Sequence, residues 1–380
     1  MVVVSSSTFF YNTPISKYTD QLVIPPIYIP KNIYDRCGNL IRQEYKISMT
    51  EFYQQILPSG YPQTKVWGYG GQAKDAVTGK YLGFVRNSPA PTFEAIKNVP
   101  IKVKWTNYIK ESMFPVDPTL HWANPNNMPM TIDPPYPDFP PGFEDAQSTV
   151  PLIPHLHGAE VKSTSDGGPE AWFTANGIHG DDYNTVRPTS ANSAIFYYPN
   201  EQSATTLWYR DHALGMTRLN VMSGLAGFYL LRDNNKRSDY VAHRLPKGKY
   251  EIPIAIQDRS FNADGSMWFP SEGNNPDVHP YWGPEFFGNT LMVNGKLWPN
   301  LNVDRGQYRF RILDGSNARF YNLKLSIEGT SETIPFTQIG SDGGYLKSAV
   351  KLNSLVIAPG ERVDILVDFS KLKPWIYSKE

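Results

Sequence analysis

Apolar and polar positions along the 380-residue chain alternate at period two far more often than they keep a helical period. In IKVKWTN (101–107), Ile101, Val103 and Trp105 alternate with Lys102 and Lys104. YEIPIAIQD (250–258) puts Tyr250, Ile252, Ile254 and Ile256 on one face, and YRFRIL (308–313) and VDILVDF (363–369) follow the same rule. Successive side chains on a strand point to opposite faces, so the pattern predicts antiparallel sheets with one buried and one wet face. SMTEFYQQIL (48–57) is the best helical candidate, with Phe52, Ile56 and Leu57 on one side. The expected fold class is all-β.

Prolines and polar runs punctuate these strands. The stretch FPVDPTLHWANPNNMPMTIDPPYPDFPPGFED (114–145) cannot be a regular strand and reads as an extended surface excursion. Its Trp122 and Tyr136 would either cap the core or rim a substrate surface. RDNNKRSD (232–239) reads as a linker, which divides the chain into domains at 1–235 and 236–380. Residues 91–107 and 299–317 share an outline of proline, short strand, charged turn and alternating strand. Two similar sandwiches in tandem would account for that faint repeat.

Composition supports the all-β reading, with 33 Pro, 29 Gly and 13% aromatic residues. Lys+Arg and Asp+Glu are each 36, so the formal charge is zero and nothing draws the chain toward nucleic acid or an anionic membrane. No apolar run approaches the roughly 20 residues of a membrane span. The start, MVVVSSSTFFYNTPISKY, lacks the basic region, long apolar core and small-residue cleavage site of a secretory signal. The expectation is a protein made in the cytosol without Sec export. The single cysteine, Cys37, excludes an internal disulfide and a cysteine-based zinc site, and reads as a plain free thiol.

Candidate chemistry is confined to two short segments. PHLHG (154–158) places His155 and His157 two apart, so both face one side of a strand. WYRDH (208–212) places Arg210 and His212 the same way. Imidazole suits copper and zinc, and two His-x-His strands side by side would offer four ligands. Position 210 breaks that set, because a guanidinium has no free lone pair and carries a fixed positive charge. An isolated His-x-His is more often a pair of buried or surface histidines than a metal site. His121, His179 and His243 lie in polar or Pro-rich loops and read as solvated, and His279, in VHPYWG, reads as a loop residue before the strand NTLMVNG.

Longer stretches resolve the ambiguity. TKVWGYGG (64–71), PHLHGAE (154–160), SDGGPEAWF (165–173), LWYRDHALGMTRLNVMSGLAGFYLL (207–231), NTLMVNGKLWPNL (289–301) and FTQIGSDGGYLKSAVKLNSLVIAPGERVDILVDF (336–369) run in one collinear order. Over about residues 45–369 the chain resembles the multicopper oxidases, in the branch of spore-coat laccases and bilirubin-oxidase-like enzymes. The resemblance implies tandem cupredoxin-like Greek-key sandwiches and copper as cofactor. It implies that His155 serves the lone copper of a trinuclear cluster, and that His157, His212 and position 210 serve the coupled pair. It also makes Asp166, in SDGG, an acid that helps move protons; the plain reading is a turn residue before two glycines.

Three departures shape the expected function. Arg210 stands where the resemblance implies a histidine. The second domain reads as cut short after VDILVDF, and the third, with the blue-copper cysteine, as absent. The expectation is therefore a laccase-like, copper-binding protein whose intact relatives oxidise phenolic or pigment-like donors and reduce dioxygen to water, but which is inactive alone. A second polypeptide would supply the missing domain. The alternatives are a catalytically dead spore-coat or assembly protein, self-associating through an unpaired edge of the second domain, and a gene remnant.

Overall fold

The computed structural model describes residues 15–117, 120–126, 146, 148–186, 190–233, 244–270 and 285–372. His243, His279, Tyr136 and most of the Pro-rich excursion lie outside them. Strands dominate, joined by short 3-10 turns and a single-and-a-half-turn helix at Thr217–Met222. The all-β expectation holds.

The strands form two large sheets. An 11-stranded sheet runs in the order Pro154–His157, Thr205–Asp211, Ala226–Arg232, Ala90–Ile96, Ile27–Tyr28, Thr64–Lys74, Leu40–Gln54, Ile101–Asn107, Ser193–Tyr198, with two further strands paired off that path. The pairings of Ala226–Arg232 with Ala90–Ile96 and of Leu40–Gln54 with Ile101–Asn107 are parallel, so the chain crosses over rather than meanders. An eight-stranded sheet is built from strands after residue 250, with Glu251–Phe261, Gln307–Asp314 and Arg362–Asp368 at its centre. A small pair, Tyr321–Leu323 with Leu355–Ile357, completes that half.

The helix expected at 48–57 is absent. Residues Leu40–Gln54 form one long strand in which Gln43, Tyr45, Ile47 and Met49 are buried and their neighbours are not. Period two over ten residues, with partners on both sides, outweighs the Phe52–Ile56 spacing that suggested a helix. The faint repeat is half observed: 101–107 and 307–314 are both strands, but 90–96 is a strand whereas 299–305 is not.

The first sheet closes on an aromatic core. Tyr28, Tyr45, Phe93, Trp105, Tyr209 and Tyr229 are nearly or wholly buried, and their rings meet edge-on or tilted at centroid distances such as 4.7 Å for Tyr28–Phe93 and 5.1 Å for Phe93–Tyr209. Tyr209 also donates from its hydroxyl to the Pro91 carbonyl at 2.6 Å. Because Tyr209 faces inward, its neighbours Trp208 and Arg210 face the opposite way, which orients the segment carrying the candidate chemistry.

One sequence expectation fails for a physical reason. Glu251–Phe261 and Gln307–Asp314 alternate, yet both of their faces are buried. Their polar face is not wet: it packs on the first sheet. Phe228 and Leu230 from one half meet Ala255 and Leu313 from the other in a small apolar cluster. Beside it, Glu251 accepts from Arg232 and Arg311, and Arg309 pairs with Asp364. The N-terminal arm adds a further tie, with the Tyr18 and Leu22 amides donating to the Trp298 and Asn300 carbonyls.

The strand Arg362–Asp368 sits between Gln307–Asp314 and Phe336–Ser341 and is no edge. One edge of that sheet is Gly344–Leu352, which carries Lys347 and Lys351. Charged side chains on an edge strand oppose pairing with another chain. Among the described residues no helix is long and apolar enough to cross a membrane.

Candidate metal centre

Two strands, Pro154–His157 and Thr205–Asp211, pair antiparallel with Arg210 directly opposite His155 and Trp208 directly opposite His157. The ladder continues as the His212 amide donates to the Ile153 carbonyl at 2.9 Å. Directly opposite residues share a face, so His155, His157, Trp208, Arg210 and His212 all project to one side. Position 210 thus lies on the same strand face as the three histidines.

The imidazoles are fixed by a glycine loop. After a 3-10 turn at Ser163–Ser165, the Asp166 carbonyl accepts from His155 Nδ1 at 2.5 Å and the Gly167 carbonyl accepts from His212 Nδ1 at 2.9 Å. A carbonyl only accepts, so both rings carry their proton on Nδ1 and keep a lone pair on Nε2. The two rings stack with centroids 4.4 Å apart, and His155 lies 5.9 Å from His157. Metal-ligating histidines are commonly held this way, with the far nitrogen free for the metal. His157 Nδ1 is buried with no partner among the described residues. The Asp166 carboxylate stands 3.4 Å from His155 Nδ1 and is half exposed.

Electrostatics keep the imidazoles neutral. Burial, then the charge of Arg210, then that of Arg362, push His157 down to about 3. Burial likewise lowers His155 and His212, although their bonds to the Asp166 and Gly167 carbonyls act in the opposite sense. Neutral imidazole is the form that binds metal.

Arg210 is built into the site. Its Nη1 donates to the Asp211 carbonyl at 2.8 Å, and its guanidinium lies over the Trp208 ring, 5.4 Å from the centroid. Asp211 faces inward, where it accepts from the Ile153 and Ala213 amides and from Asn220, so it does not neutralise the guanidinium directly. Burial raises the Asp211 carboxyl to about 6 against those bonds. A divalent ion about 4 Å from the guanidinium would be repelled by about 8 kcal/mol at an effective dielectric near 20.

The residues present therefore fit copper only in part. His155 and His212 have the orientation of ligands and His157 has an orphaned nitrogen, but position 210 does not fit a cluster. Among the described residues no group of three or more His, Cys, Asp or Glu is gathered tightly enough to hold a metal ion. The sequence reading found the three histidines, Asp166 and Arg210. It missed Trp208, which the same i+2 rule would have placed on this face, and Arg362, whose approach from the second half left no local signal. His121 and His179 are exposed, and His179 stacks on Tyr183.

Gly167 is the position on which this geometry rests. Its φ is +74°, and a Cβ there would lie 2.0 Å from the Pro154 carbonyl oxygen. Gly167→Ala should displace the loop carbonyls that clamp His155 and His212, and weaken metal binding roughly 10–100-fold. A competitive copper titration checks this; an unchanged affinity would show that the loop does not orient the rings.

The comparisons with known proteins bear on the family and the fold. A family model described as "Multicopper oxidase" matches residues 259–379. The laccase of Bacillus stratosphericus is 38% identical over 364 residues, covering 94% of this chain and 60% of its own length. That of Bacillus subtilis (strain 168) is 36% identical over 360 residues, with the same coverage of 94% and 60%. Among solved structures, the McoA multicopper oxidase of Aquifex aeolicus superposes with a TM-score of 0.63 at 24% identity, covering 94% of this chain and 59% of that one. A Pediococcus acidilactici laccase gives 0.65 at 23%, covering 95% and 59%, a likeness of fold. The chain thus spans about three fifths of the length of the relatives it matches.

Proposed function

The chain belongs to the multicopper oxidase family, and from that premise we propose that residues 1–380 supply one wall of a laccase-type oxidase and do not turn over a donor by themselves. The family's cofactor is copper, which carries electrons from donor to dioxygen when a full set is bound. In the proposed reading the domains are 1–235 and 236–380, the donors of the whole assembly are phenolic or pigment-like, and the remaining ligands come from outside residues 1–380.

The observation that carries this is the shared face of His155, His157, His212 and Arg210. Three imidazoles offer one copper ion a weak seat at best beside a fixed cation. The approach of the Asp166 carboxylate to His155 Nδ1 at 3.4 Å supports reading Asp166 as the acid that helps move protons. A blue-copper site needs a thiolate between two imidazoles, and Cys37 sits exposed in a hairpin turn, its amide bonded to Asp35.

The test is to load the purified chain with Cu(II) and measure bound metal, visible absorption and phenol oxidation. The expected result is about one copper or less per chain, no intense thiolate-to-copper band and no turnover. A strong blue band or phenol turnover by the chain alone would overturn the reading. A second reading is favoured by the way Arg210 is built in over Trp208 rather than left in solvent. It is a catalytically inactive relative kept as a structural protein, such as a spore-coat component. Restored turnover on mixing with a polypeptide that carries the missing histidines and cysteine separates the first reading from the second.

A further inference from the structure

Two sets of arginines lie where the two halves of the fold meet. Arg232, Arg309, Arg311, Arg319 and Arg362 each lie within ion-pair distance of a carboxylate. Arg210, Arg218 and Arg259 form no ion pair among the described residues, and all three line one cavity of about 360 Å³ between the two halves of the fold. Arg259 is 1% exposed. Among the described residues its side chain donates to the backbone carbonyls of Asp258 and Val221, and its Nε has no partner.

The carboxylates nearby form no ion pair with these three arginines, although Asp258 Oδ1 and Asp314 Oδ2 are buried without a partner among the described residues. Asp258 Oδ2 accepts from Arg319 and from the Gly288 amide. Asp211 is occupied by Ile153, Ala213 and Asn220. Asp117 acts on Arg218 only through space. Burial pushes Arg259 down to about 10, against the opposing influence of the adjacent Asp258 charge. Three guanidiniums without an ion-pair partner among the described residues that line one cavity favour an anion there, because burying such a charge is costly.

The rest of the wall defines the anion's body. Trp208, Val221 and Met222 give the cavity an apolar side. An inorganic oxyanion would leave that side wet, whereas a carboxylate on a small hydrocarbon or aromatic body would use both. The volume lies at the lower end of the range for small-molecule sites. Planar guanidinium matches carboxylate geometry with two parallel hydrogen bonds.

We propose that the cavity between Arg210, Arg218 and Arg259 binds a small organic carboxylate. His157, a candidate copper ligand, also lines this cavity; the proposal does not require copper to be bound, and its test uses metal-free protein. Benzoate, benzyl alcohol and inorganic phosphate are titrated separately into the chain by calorimetry, with the midpoint of thermal unfolding as a second readout. Benzoate should bind and raise the midpoint, benzyl alcohol should do neither, and phosphate should bind at least about tenfold more weakly than benzoate. Arg210→Gln and Arg218→Gln should each weaken benzoate at least about tenfold while the chain stays folded. Arg86→Gln, on the other side of the first sheet over Phe52, should leave it unchanged. No benzoate binding, equal binding of benzyl alcohol, tighter binding of phosphate, or full binding by both pocket variants would each overturn the proposal.

Discussion

Arg210→His should raise the copper affinity of the chain by about 10²–10⁴-fold. Position 210 lies directly opposite His155 on the paired strand, and both project to the face that carries His157 and His212. The substitution does two things at once. It adds a fourth imidazole, and it removes a cation whose repulsion of a divalent ion is about 8 kcal/mol before screening. Screening at this half-buried position leaves a fraction of that, and even half of the unscreened value exceeds a hundredfold. The pH behaviour should change too. Arg210 is the second cause, after burial, of the low value of about 3 at His157, so the variant's His157 should titrate at a higher pH. Copper per chain after dialysis against a weak chelator, and histidine titration by NMR on the apo protein, read the two effects separately. An unchanged copper content would mean that the four side chains do not converge on one ion. An unchanged His157 would mean that the guanidinium does not reach it.

The parts of this site that were legible in the sequence are those governed by local geometry. Two residues two apart on a strand must share a face, so PHLH and WYRDH announced His155 with His157 and Arg210 with His212. The strands themselves were legible for the same reason: 101–107 is observed as Ile101–Asn107 and 308–313 as Gln307–Asp314. What the pattern could not supply was register. That Arg210 meets His155 rather than His157 depends on long-range pairing, and no local rule sets it. The carbonyls of Asp166 and Gly167 were equally hidden, since backbone acceptors leave no trace in side-chain identity. Arg259 and Arg362 reach the site from the second half of the chain, about 50 to 150 residues further on. The helix misread at 48–57 shows the converse error, a local spacing overruled by strand partners on both sides.

Glu251→Gln should lower stability at neutral pH by about 3–5 kcal/mol. Glu251 is the acceptor that holds the two halves of the fold together electrostatically. Its Oε1 takes Arg311 Nε at 2.6 Å, and its two oxygens take Arg232 Nη1 at 3.1 and 3.0 Å. Arg232 belongs to the first sheet and also grips Glu94, while Arg311 donates back to Thr206 Oγ1 at 2.8 Å. Burial alone would raise the Glu251 carboxyl, but Arg311, Arg232 and Arg309 outweigh it and hold it at about 2. A carboxylate whose folded value lies below its unfolded one stabilises the fold above the unfolded value, and that stabilisation is lost as pH falls toward the folded one. The shift from 4.5 to about 2 corresponds to about 3 kcal/mol, the same size as the cost of leaving buried guanidiniums without their acceptor. Gln keeps the shape and one acceptor oxygen but not the charge. The gap between native protein and variant should therefore be full at pH 7 and close between about pH 4.5 and pH 2. Urea unfolding midpoints across that range measure it. If the gap were as wide at pH 3 as at pH 7, the loss would lie in packing, and the ion cluster would not be what joins the two sheets.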